Sequence, residues 1–363
     1  MASLNFAFFG SSLVSAYWNG AATYYRGIVR ALSERGHIVT FYEPDAFERQ
    51  LHRDLADPHW ARSVVYPATE EAALRCVDQA RQADVVIKAS GIGVLDALLE
   101  EAVLELQGAG RLVAYWDVDA PATLERVESD ANDRFRSLIP RYDLILTYGG
   151  GEPVVRAYQA LGARSCTPIY NALDPREHYP TAADARFAGD LAFLGNRLPD
   201  REARADELFF RAASFSPEAR FVLGGSGWQE RPLPRNVHSV GHVYTRDHNA
   251  FNCTPTAILN VSRQSMARIG FSPATRVFEA AGSGACIITD PWQGLELFLE
   301  PGREVLVAAS GAEVAEQLAA LTPKKARSVG GRARARILFE HTYAHRVELL
   351  ECAFAGNGAV APK

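Results

Sequence analysis

Apolar residues in the first half of the chain fall into short unbroken runs, separated by stretches in which they recur every three or four positions. The runs are typical of strands buried on both faces, and the spaced stretches are typical of helices with one buried face. The predicted strands are residues 5–9, 38–42, 84–88, 111–116 and 142–147, and the predicted helices are 20–35, 70–82, 93–106 and 153–161. Because strand and helix alternate, we predict an α/β domain built on a doubly wound parallel sheet.

A proline-rich segment, residues 167–180, interrupts this alternation, which then starts again. The second half has predicted strands at 190–195, 220–225, 237–240 and 257–261 and a predicted helix at 201–213. Two doubly wound halves joined by such a segment favour two domains with a cleft between them. The predicted parts are a first domain at 1–170, a linker at 171–186, a second domain at 187–338 and a C-terminal helix at 339–355.

The stretch at residues 271–290 has the clearest local signals in the chain and predicts a short helix followed by a buried strand. Ser272 is a good N-cap, and Pro273 suits the first helical position, where its missing N–H costs nothing. Gly282 is expected to end the helix as a C-cap.

Two charged residues of this predicted helix, Arg276 and Glu279, are three positions apart and therefore share one face. The helix N-terminus beside Arg276 suits an anion such as a diphosphate, and Glu279 can accept hydrogen bonds from the vicinal diol of a ribose. Diphosphate and ribose together indicate a nucleotide sugar. The alternative is an intrahelical Arg276–Glu279 ion pair on a solvated face, and the spacing alone fits both interpretations.

Composition narrows the classes of function. The 363 residues are typical of about two domains, and a net charge of −5 gives no reason to expect nucleic-acid binding. The five cysteines are far apart, so neither a disulfide framework nor a zinc site is expected. No apolar stretch is long enough to span a bilayer, and the N-terminus lacks the pattern of a signal peptide. We therefore expect a cytoplasmic protein without a transmembrane segment.

Asp117 and Asp119 are the candidate catalytic residues of the first domain. They follow the strand at 111–116 at its carboxyl end, where α/β sheets usually bind ligands, and either carboxylate can serve as a general base. Either one can equally cap the next helix or hydrogen-bond within a turn. The sequence alone leaves both interpretations open.

The loop after the first strand, formed by Gly10, Ser11 and Ser12, is a further candidate. It either admits substrate or is simply a tight turn. Because no Gly-x-Gly-x-x-Gly fingerprint occurs there, a nicotinamide cofactor is disfavoured.

Several short motifs together resemble those of glycosyltransferases of the GT-B fold. The resemblance is greatest to their spore-maturation (CgeB-like) branch, which is related to the retaining glycosyltransferase family 4. The motifs are residues 33–37, 190–196 with Asp200 and Arg201, 260–263, 272–279, 284–286 with Asp290, 294–296 and 298–305. The resemblance implies two Rossmann-like domains that face each other across a cleft, with the acceptor in the first and the donor in the second. It also implies that the last helix crosses back to the first domain.

The same resemblance implies roles for individual residues. Glu279 matches the second glutamate of the family's paired-glutamate motif, which holds the donor ribose, whereas residues 268–271 contain no glutamate to match the first. Arg197 and Arg201 correspond to the region that holds the diphosphate, and residues 241–244 to the segment that cradles the base. The donor-binding candidates are Asn196, Arg197, Arg201, Gly241, His242, Val243, Tyr244, Arg263, Ser272, Thr275, Arg276 and Glu279.

The predicted function is transfer of a sugar from a nucleotide-diphosphate sugar to an acceptor, without a cofactor. The acceptor is a sugar, a lipid-linked carrier, a protein or a small molecule. Arginines are expected to stabilise the leaving phosphate in place of a metal, because Asp117 and Asp119 lie in the other half of the chain. An inverting reaction would use one of these aspartates as its base.

Two other functions fit the same residues. A nucleotide-sugar epimerase of the same fold would bind the same donor, and a non-catalytic protein would bind the nucleotide sugar without turnover.

The stretch at 324–336 is rich in Lys and Arg and allows two interpretations. A basic helical face is either solvated or in peripheral contact with anionic lipid.

Overall fold

The computed structural model describes residues 3–17, 19–108 and 110–357. Contacts between residues divide the chain into two compact units. The first unit comprises the residues up to Tyr170 and those from Tyr343 onward, and the second unit comprises Asn171–Thr342. None of the helices in the described ranges combines the length and the apolar character that a bilayer-spanning helix needs.

The first unit is built on a seven-stranded sheet whose strands all pair in parallel over the described residues. The strands are β1 (Asn5–Phe9), β2 (Ile38–Asp45), β3 (Arg62–Pro67), β4 (Val85–Ala89), β5 (Leu112–Asp117), β6 (Leu144–Thr147) and β7 (Cys166–Pro168). Their order is β3-β2-β1-β4-β5-β6-β7. Phe8 of β1 pairs with Phe41 of β2 and Ile87 of β4, and all three are buried. The unbroken apolar runs therefore form the middle of the sheet.

In the described part of this unit, six α-helices lie between these strands. They are α1 (Ala22–Glu34), α2 (Glu70–Gln79), α3 (Asp96–Ala102), α4 (Ala120–Ser129), α5 (Arg134–Leu138) and α6 (Gly151–Ala160). α1 presents Tyr25 and Ile28 to the sheet, where the Tyr25 ring meets Phe8 at 5.4 Å. Thr69 is the N-cap of α2, and its hydroxyl accepts a hydrogen bond from the Ala72 N–H.

The second unit is built on a six-stranded parallel sheet of order β10-β9-β8-β11-β12-β13. Its strands are β8 (Leu191–Leu194), β9 (Phe221–Gly224), β10 (Val237–Gly241), β11 (Ala257–Asn260), β12 (Ile287–Thr289) and β13 (Leu306–Val307). Its helices are α7 (Pro199–Ala205), α8 (Arg211–Phe215), α9 (His248–Cys253), α10 (Gln264–Ile269), α11 (Thr275–Gly282), α12 (Gly311–Ala319) and α13 (Pro323–Glu340). Two parallel-sheet, Rossmann-like units confirm the predicted fold class.

The last helix, α14 (Tyr343–Gly356), belongs to the first unit. Its Tyr343 ring packs against Gly27 of α1, at a distance that leaves no room for a Cβ on that glycine. The carboxylate of Glu351 accepts hydrogen bonds from Arg35 and bonds to the His37 ring. The chain therefore completes its first unit only at its far end.

Several helices differ in extent from the prediction. The helix expected at 70–82 is α helical only over Glu70–Gln79 and ends in a 3₁₀ turn at Ala80–Gln82, and the helix expected at 339–355 spans Tyr343–Gly356. The helix expected at 93–106 is α helical only over Asp96–Ala102 and continues as a 3₁₀ turn at Val103–Leu106. The helix expected at 201–213 begins at Pro199 and contains a π turn at Asp206–Phe210. The sequence does not reveal these differences, because replacing one α-helical turn by a tighter 3₁₀ turn or a wider π turn leaves the spacing of the apolar residues almost unchanged.

The start of α11 corrects the prediction for Ser272. The helix begins at Thr275, after Ala274 as its N-cap, and Ala274 provides no side-chain cap. The Ser272 hydroxyl instead donates to the Gly270 carbonyl at 2.9 Å. Ser272 therefore stabilises the preceding loop, and its predicted role as N-cap is wrong.

The end of α11 corrects the prediction for Gly282, which is the last residue of the helix and not its cap. A Cβ at Gly282 would lie 2.3 Å from Cδ1 of Leu173, so glycine is needed there for close packing. Gly284, with φ +78°, supplies the left-handed residue that turns the chain toward β12.

Candidate functional site

The second unit contains a cavity of about 330 Å³ beyond the carboxyl ends of β8 to β11. Parallel α/β sheets bind their ligands at this edge. Helices α9 and α11 supply further wall residues. The lining residues are Phe193, Leu194, Gly195, Asn196, Arg201, Gly225, His242, Val243, His248, Leu259, Asn260, Val261, Ala274, Thr275, Arg276 and Glu279.

The first residues of α11 form one wall of this cavity. Asn171 donates a hydrogen bond to the Thr275 hydroxyl at 2.6 Å and so fixes the start of the helix. The amino end of a helix carries partial positive charge. This wall therefore favours an anionic ligand group.

Arg276 and Glu279 form the intrahelical ion pair that the spacing allowed, with Nη1 and Oε2 2.8 Å apart. The pair lies on the cavity wall rather than on a solvated face, since its side chains are only 16% and 9% exposed. Burial, the largest single cause, raises the pKa of Glu279, but the charges of Arg276, His178 and His248 together outweigh it and lower that pKa to about 2. Glu279 is therefore a carboxylate at neutral pH.

Two histidines flank this carboxylate. His178 Nε2 lies 3.7 Å from Oε1 of Glu279, and His248 Nδ1 lies 3.9 Å from Oε2. Burial, followed by the charge of Arg276, lowers the pKa of His248 to about 4, so its ring is neutral at neutral pH. Its Nε2 lies 3.3 Å from the Val243 carbonyl. A neutral ring that donates from Nε2 presents Nδ1 as an acceptor.

Several polar atoms of this site are buried without a hydrogen-bond partner in the described part of the chain. They include Arg276 Nη1 and Glu279 Oε2, because these two atoms are close enough for an ion pair but are not aligned for a hydrogen bond. The atoms are Arg201 Nε, Arg276 Nε and Nη1, Glu279 Oε2, His178 Nδ1 and His248 Nδ1. Buried polar groups are nearly always paired in folded proteins. This arrangement therefore suits a polar ligand that pairs with them.

Arg201 is the second cation of the cavity. Burial lowers the pKa of its guanidinium; Asp200 opposes that shift, and Arg263 and Arg276 add to it. Two neighbouring guanidinium groups that repel one another are stabilised when an anion lies between them. Arg201 and Arg276 can therefore bind one multiply charged anion together.

The cavity brings together seven of the twelve donor-binding candidates. These are Asn196, Arg201, His242, Val243, Thr275, Arg276 and Glu279. Sequence reasoning missed His248 and Asn260, which line the same cavity. It also missed Gly225, at which a Cβ would lie 2.3 Å from the Gly195 carbonyl oxygen. The paired glycines at the end of β9, Gly224 and Gly225, were a signal for this close approach.

The other candidates lie outside the cavity wall. Arg197 pairs with Glu202, and Arg263 pairs with Asp200 through an Nε–Oδ2 contact of 2.6 Å. The Tyr244 ring is exposed and stands edge-on to His242 at 4.7 Å. Gly241, with φ +67°, and Ser272 shape the adjoining loops.

Asp117 in the first unit is completely buried at the end of β5. Its carboxylate accepts hydrogen bonds from the Ser90, Thr123 and Tyr158 hydroxyls and from the Asp119 N–H. Burial raises the pKa of Asp117, although these four donors oppose the shift. Asp119 is exposed at the start of α4.

The loop after β1 points its polar groups inward. The Ser11 hydroxyl donates to Asn19 Oδ1 at 2.8 Å, and the Ser12 hydroxyl donates to Glu43 Oε1 at 2.9 Å. A Cβ at Gly10 would lie 2.4 Å from the Phe41 ring, so only glycine fits there. The loop is thus fixed by internal contacts.

The described part of the first unit has further cavities, of which two are well formed. The larger, of about 670 Å³, is lined by residues of α3 and of the segment 131–138 and contains no predicted site residue. The other, of about 540 Å³, is lined by residues that follow β1, β2 and β4. Over the described ranges, no three or more His, Cys, Asp or Glu side chains are grouped so that they could hold a metal ion.

Comparisons with known proteins are consistent with this architecture. Residues 201–351 match a protein-family model described as glycosyl transferase-like. No curated protein sequence matches the chain significantly.

Solved structures resemble the chain over nearly its whole length. Sucrose-phosphate synthase from Thermosynechococcus elongatus is 13% identical, with 98% of this chain and 100% of that chain covered and a TM-score of 0.71. Anabaena HepE in complex with UDP and glucose is 12% identical, with coverages of 97% and 99% and a TM-score of 0.69. AviGT4, a glycosyltransferase involved in avilamycin A biosynthesis, is 17% identical, with coverages of 99% and 99% and a TM-score of 0.63. At these identities the likeness shows the fold, which is the predicted GT-B fold.

Proposed function

We propose that this chain is a glycosyltransferase that moves a sugar from a nucleotide-diphosphate sugar to an acceptor hydroxyl. The observation that carries the proposal is the cavity in the second unit, where two guanidinium groups and one carboxylate keep buried polar atoms without partners. A nucleotide diphosphate supplies what these groups lack, namely anionic oxygens for the arginines and hydroxyl donors for the carboxylate. The match of residues 201–351 to a glycosyl transferase-like family model supports this assignment.

The donor is proposed to lie along the cavity from α11 to the end of β10. Its diphosphate binds between Arg201 and Arg276 at the amino end of α11. Its ribose hydroxyls donate to Glu279 and to His248 Nδ1, two acceptors 3.9 Å apart. The backbone of residues 241–244 then borders the base. Because HepE is described in complex with UDP and with UDP-glucose, a UDP-sugar is the first donor to test.

The reaction exchanges one C–O bond for another. The acceptor oxygen bonds to C1 of the sugar, the bond from C1 to the β-phosphate oxygen breaks, and the nucleoside diphosphate leaves with that electron pair. Arg201 and Arg276 stabilise the charge that develops on the leaving phosphate. A charge-assisted hydrogen bond contributes about 1.5–3 kcal/mol, so two of them at a helix terminus can do the work of a metal ion.

The two aspartates of the first unit are assigned different roles in this proposal. Asp119 is exposed. If the reaction inverts, we assign Asp119 the role of the general base that removes the proton from the acceptor hydroxyl. Asp117 is buried among four donors, so we assign it the positioning of the turn that carries Asp119. In a retaining reaction the leaving phosphate itself can take the proton.

The finer placement of the chain is also a proposal. Its motifs support the CgeB-like branch related to glycosyltransferase family 4, and transfer of a hexose. The matches to a glycosyl transferase-like family model and to AviGT4 are consistent with this placement.

A thermal-shift panel of nucleoside diphosphates, with and without Mg²⁺, tests the donor site. We expect UDP to stabilise the protein in the absence of metal, since a ligand at 100 times its Kd adds about 2.7 kcal/mol. In Glu279→Gln, UDP affinity should fall about tenfold or more, because a charged acceptor for the ribose is lost.

Glu300→Gln is the matched control for this variant. Glu300 forms an ion pair with Arg303 at the same three-residue spacing, but that pair is exposed. UDP affinity should therefore stay unchanged in Glu300→Gln. If no nucleotide stabilises the protein, or if Glu279→Gln binds UDP as tightly as the wild type, the donor site is wrong. UDP binding without release of UDP from UDP-sugars in the presence of acceptors would instead leave a binding protein and overturn the catalytic proposal.

A further inference from the structure

The smaller cavity of the first unit, of about 540 Å³, lies at the reversal point of its sheet. Tyr17 follows β1, residues 47–49 follow β2, and Gly93 follows β4. In the order β3-β2-β1-β4-β5-β6-β7, β1 and β4 are the neighbours between which the direction of strand addition reverses. Ligands of open α/β sheets bind in the crevice at this point.

The backbone around Phe47 is strained. Phe47 and Glu48 both have φ of 56°, a left-handed conformation that side chains other than Asn and Asp rarely adopt. A Cβ at Gly93 would lie 2.7 Å from the Phe47 ring, so the ring rests directly on the glycine backbone. Despite these constraints, Phe47 is 50% exposed. Residues held in such conformations cluster at active sites and ligand clamps, so this segment is a candidate ligand contact.

One buried arginine holds the three loops of this pocket together. Arg49 is only 5% exposed and donates to the carbonyls of Ser11, after β1, and Ile92, after β4, at 3.1 and 3.2 Å. Its guanidinium also lies 4.9 Å from the centroid of the Phe47 ring, within the range of a cation–π contact. Its Nε is buried and has no partner in the described part of the chain. The pocket is therefore built before any ligand arrives.

We propose that this pocket binds an aromatic ring of the acceptor, between the side chains of Tyr17 and Phe47. Tyr17 is held in place by stacking on His52, with ring centroids 4.0 Å apart. Aromatic rings gain from stacked and edge-on contacts beyond the area that they bury. That the ring belongs to the acceptor rests on the proposed function, whereas binding of the ring does not.

A bare sugar fits this pocket less well than an arene. Each hydroxyl of a sugar ring needs a hydrogen-bond partner, because an unpaired buried hydroxyl is costly. The lining side chains offer few polar groups: Glu48, which is largely exposed, the Tyr17 hydroxyl, and Arg49, whose Nη1 already donates to two carbonyls and whose Nε is a buried donor without a partner in the described residues. An aromatic ring with one or two polar substituents needs no more than this.

Binding of two small probes to the whole protein tests the proposal. We expect 4-methylumbelliferone, a planar phenol, to bind at least tenfold more tightly than methyl β-glucoside, as measured by fluorescence and by saturation-transfer NMR. Phe47→Ala should weaken binding of 4-methylumbelliferone about tenfold, and Tyr17→Leu should weaken it severalfold. Leu51→Ala is the matched control, because Leu51 lies in the same loop, is 81% exposed and does not line the pocket.

Circular dichroism and melting temperature confirm that each variant is folded. The proposal is overturned if methyl β-glucoside binds as tightly as 4-methylumbelliferone, or if both Phe47→Ala and Tyr17→Leu bind the phenol like the wild type. A UDP titration of the same samples separates the two sites. Phenol binding without UDP binding overturns the donor site alone, and UDP binding without phenol binding overturns only the aromatic pocket.

Discussion

His248 keeps its ring neutral inside the cavity of the second unit, because burial and the guanidinium of Arg276 both disfavour the imidazolium. Neutrality decides what the ring can do there. A protonated ring would donate from both nitrogens, whereas the neutral ring offers Nδ1 as an acceptor beside the Glu279 carboxylate. The protonation state of His248 therefore decides whether the proposed ribose site offers a second hydrogen-bond acceptor or a donor.

This titration makes stability depend on pH. The pKa of His248 falls from 6.5 to about 4 on folding, so between these values the unfolded chain binds more protons than the folded one. Stability should therefore fall by about 2 kcal/mol as the pH is lowered from 7 to 5. In His248→Gln this loss should disappear, as measured by urea unfolding at both pH values.

The interval from pH 7 to 5 keeps the titration of Glu279 out of the measurement, and the comparison with His248→Gln cancels the groups that the two proteins share. The pKa of Glu279 is lowered from 4.5 to about 2, so the stability that it contributes is present above 4.5 and is lost only at lower pH. His238→Gln is the control, because His238 lies exposed on β10 of the same unit. An unchanged pH dependence in His248→Gln would show that its ring is not held neutral.

Sequence reasoning found the pair Arg276 and Glu279 because both lie within one helical turn, where spacing alone fixes their relation. It did not find His178 and His248. These histidines reach the same carboxylate from a loop and a helix distant in sequence, and no local pattern marks such a contact. The sequence therefore predicted contacts within one helical turn, but not contacts between residues that are distant in sequence.

The same division holds for elements of secondary structure. Strands in the middle of each sheet, such as β4 and β5, are unbroken apolar runs and were predicted nearly residue for residue. The missed strands are β3, β7 and β13, which pair at sheet edges. β3 is mostly exposed or half-buried, so it carries neither a run nor a clear alternation. Edge pairing depends on neighbours that the sequence of one strand does not reveal.

Helix α13 provides a test of how packing overrides helix propensity. Its adjacent glycines differ in environment, since Gly330 is buried and Gly331 is exposed. A Cβ at Gly330 would lie 2.1 Å from the Gly284 carbonyl oxygen, in the turn that follows α11, whereas a Cβ at Gly331 would meet nothing within 4 Å. The first glycine lets α13 approach the end of α11, and the second has no such role.

Alanine at these two positions should therefore have opposite effects. In Gly330→Ala the clash is with backbone, which yields less than a side chain, so the cost should lie in the upper part of the range of about 1–3 kcal/mol for overpacking and exceed the gain in helix propensity of about 1 kcal/mol. In Gly331→Ala only that gain remains, so the variant should be as stable as the wild type or up to about 1 kcal/mol more stable. Urea unfolding of the two variants measures the difference. Equal stabilities would show that the turn at Gly284 yields without cost.

At the scale of the whole molecule, the first unit is not contiguous in sequence. Its sheet is complete by residue 168, but one face of it depends on α14, which begins at Tyr343. Arg346 of this helix donates to the Tyr170 carbonyl at 3.1 Å, and Phe354 meets the Phe6 ring of β1 at 5.7 Å. The second unit is thus inserted between two parts of the first.

A chain that ends at Thr342 should therefore lose the first unit and keep the second. The buried side chains of α14 include Val347, Leu350 and Phe354, and each fully buried apolar side chain contributes about 1.5–3 kcal/mol. Their sum is comparable to the whole stability of a domain, about 5–15 kcal/mol.

Hydrogen exchange should show loss of protection in β1 and α1 of the chain that ends at Thr342, while the amides of β8 and β11 stay protected and UDP still stabilises the protein. A chain that ends at Asn357 keeps α14 and should match the full chain. Retained protection of β1 in the shorter chain would mean that the first unit folds without its last helix.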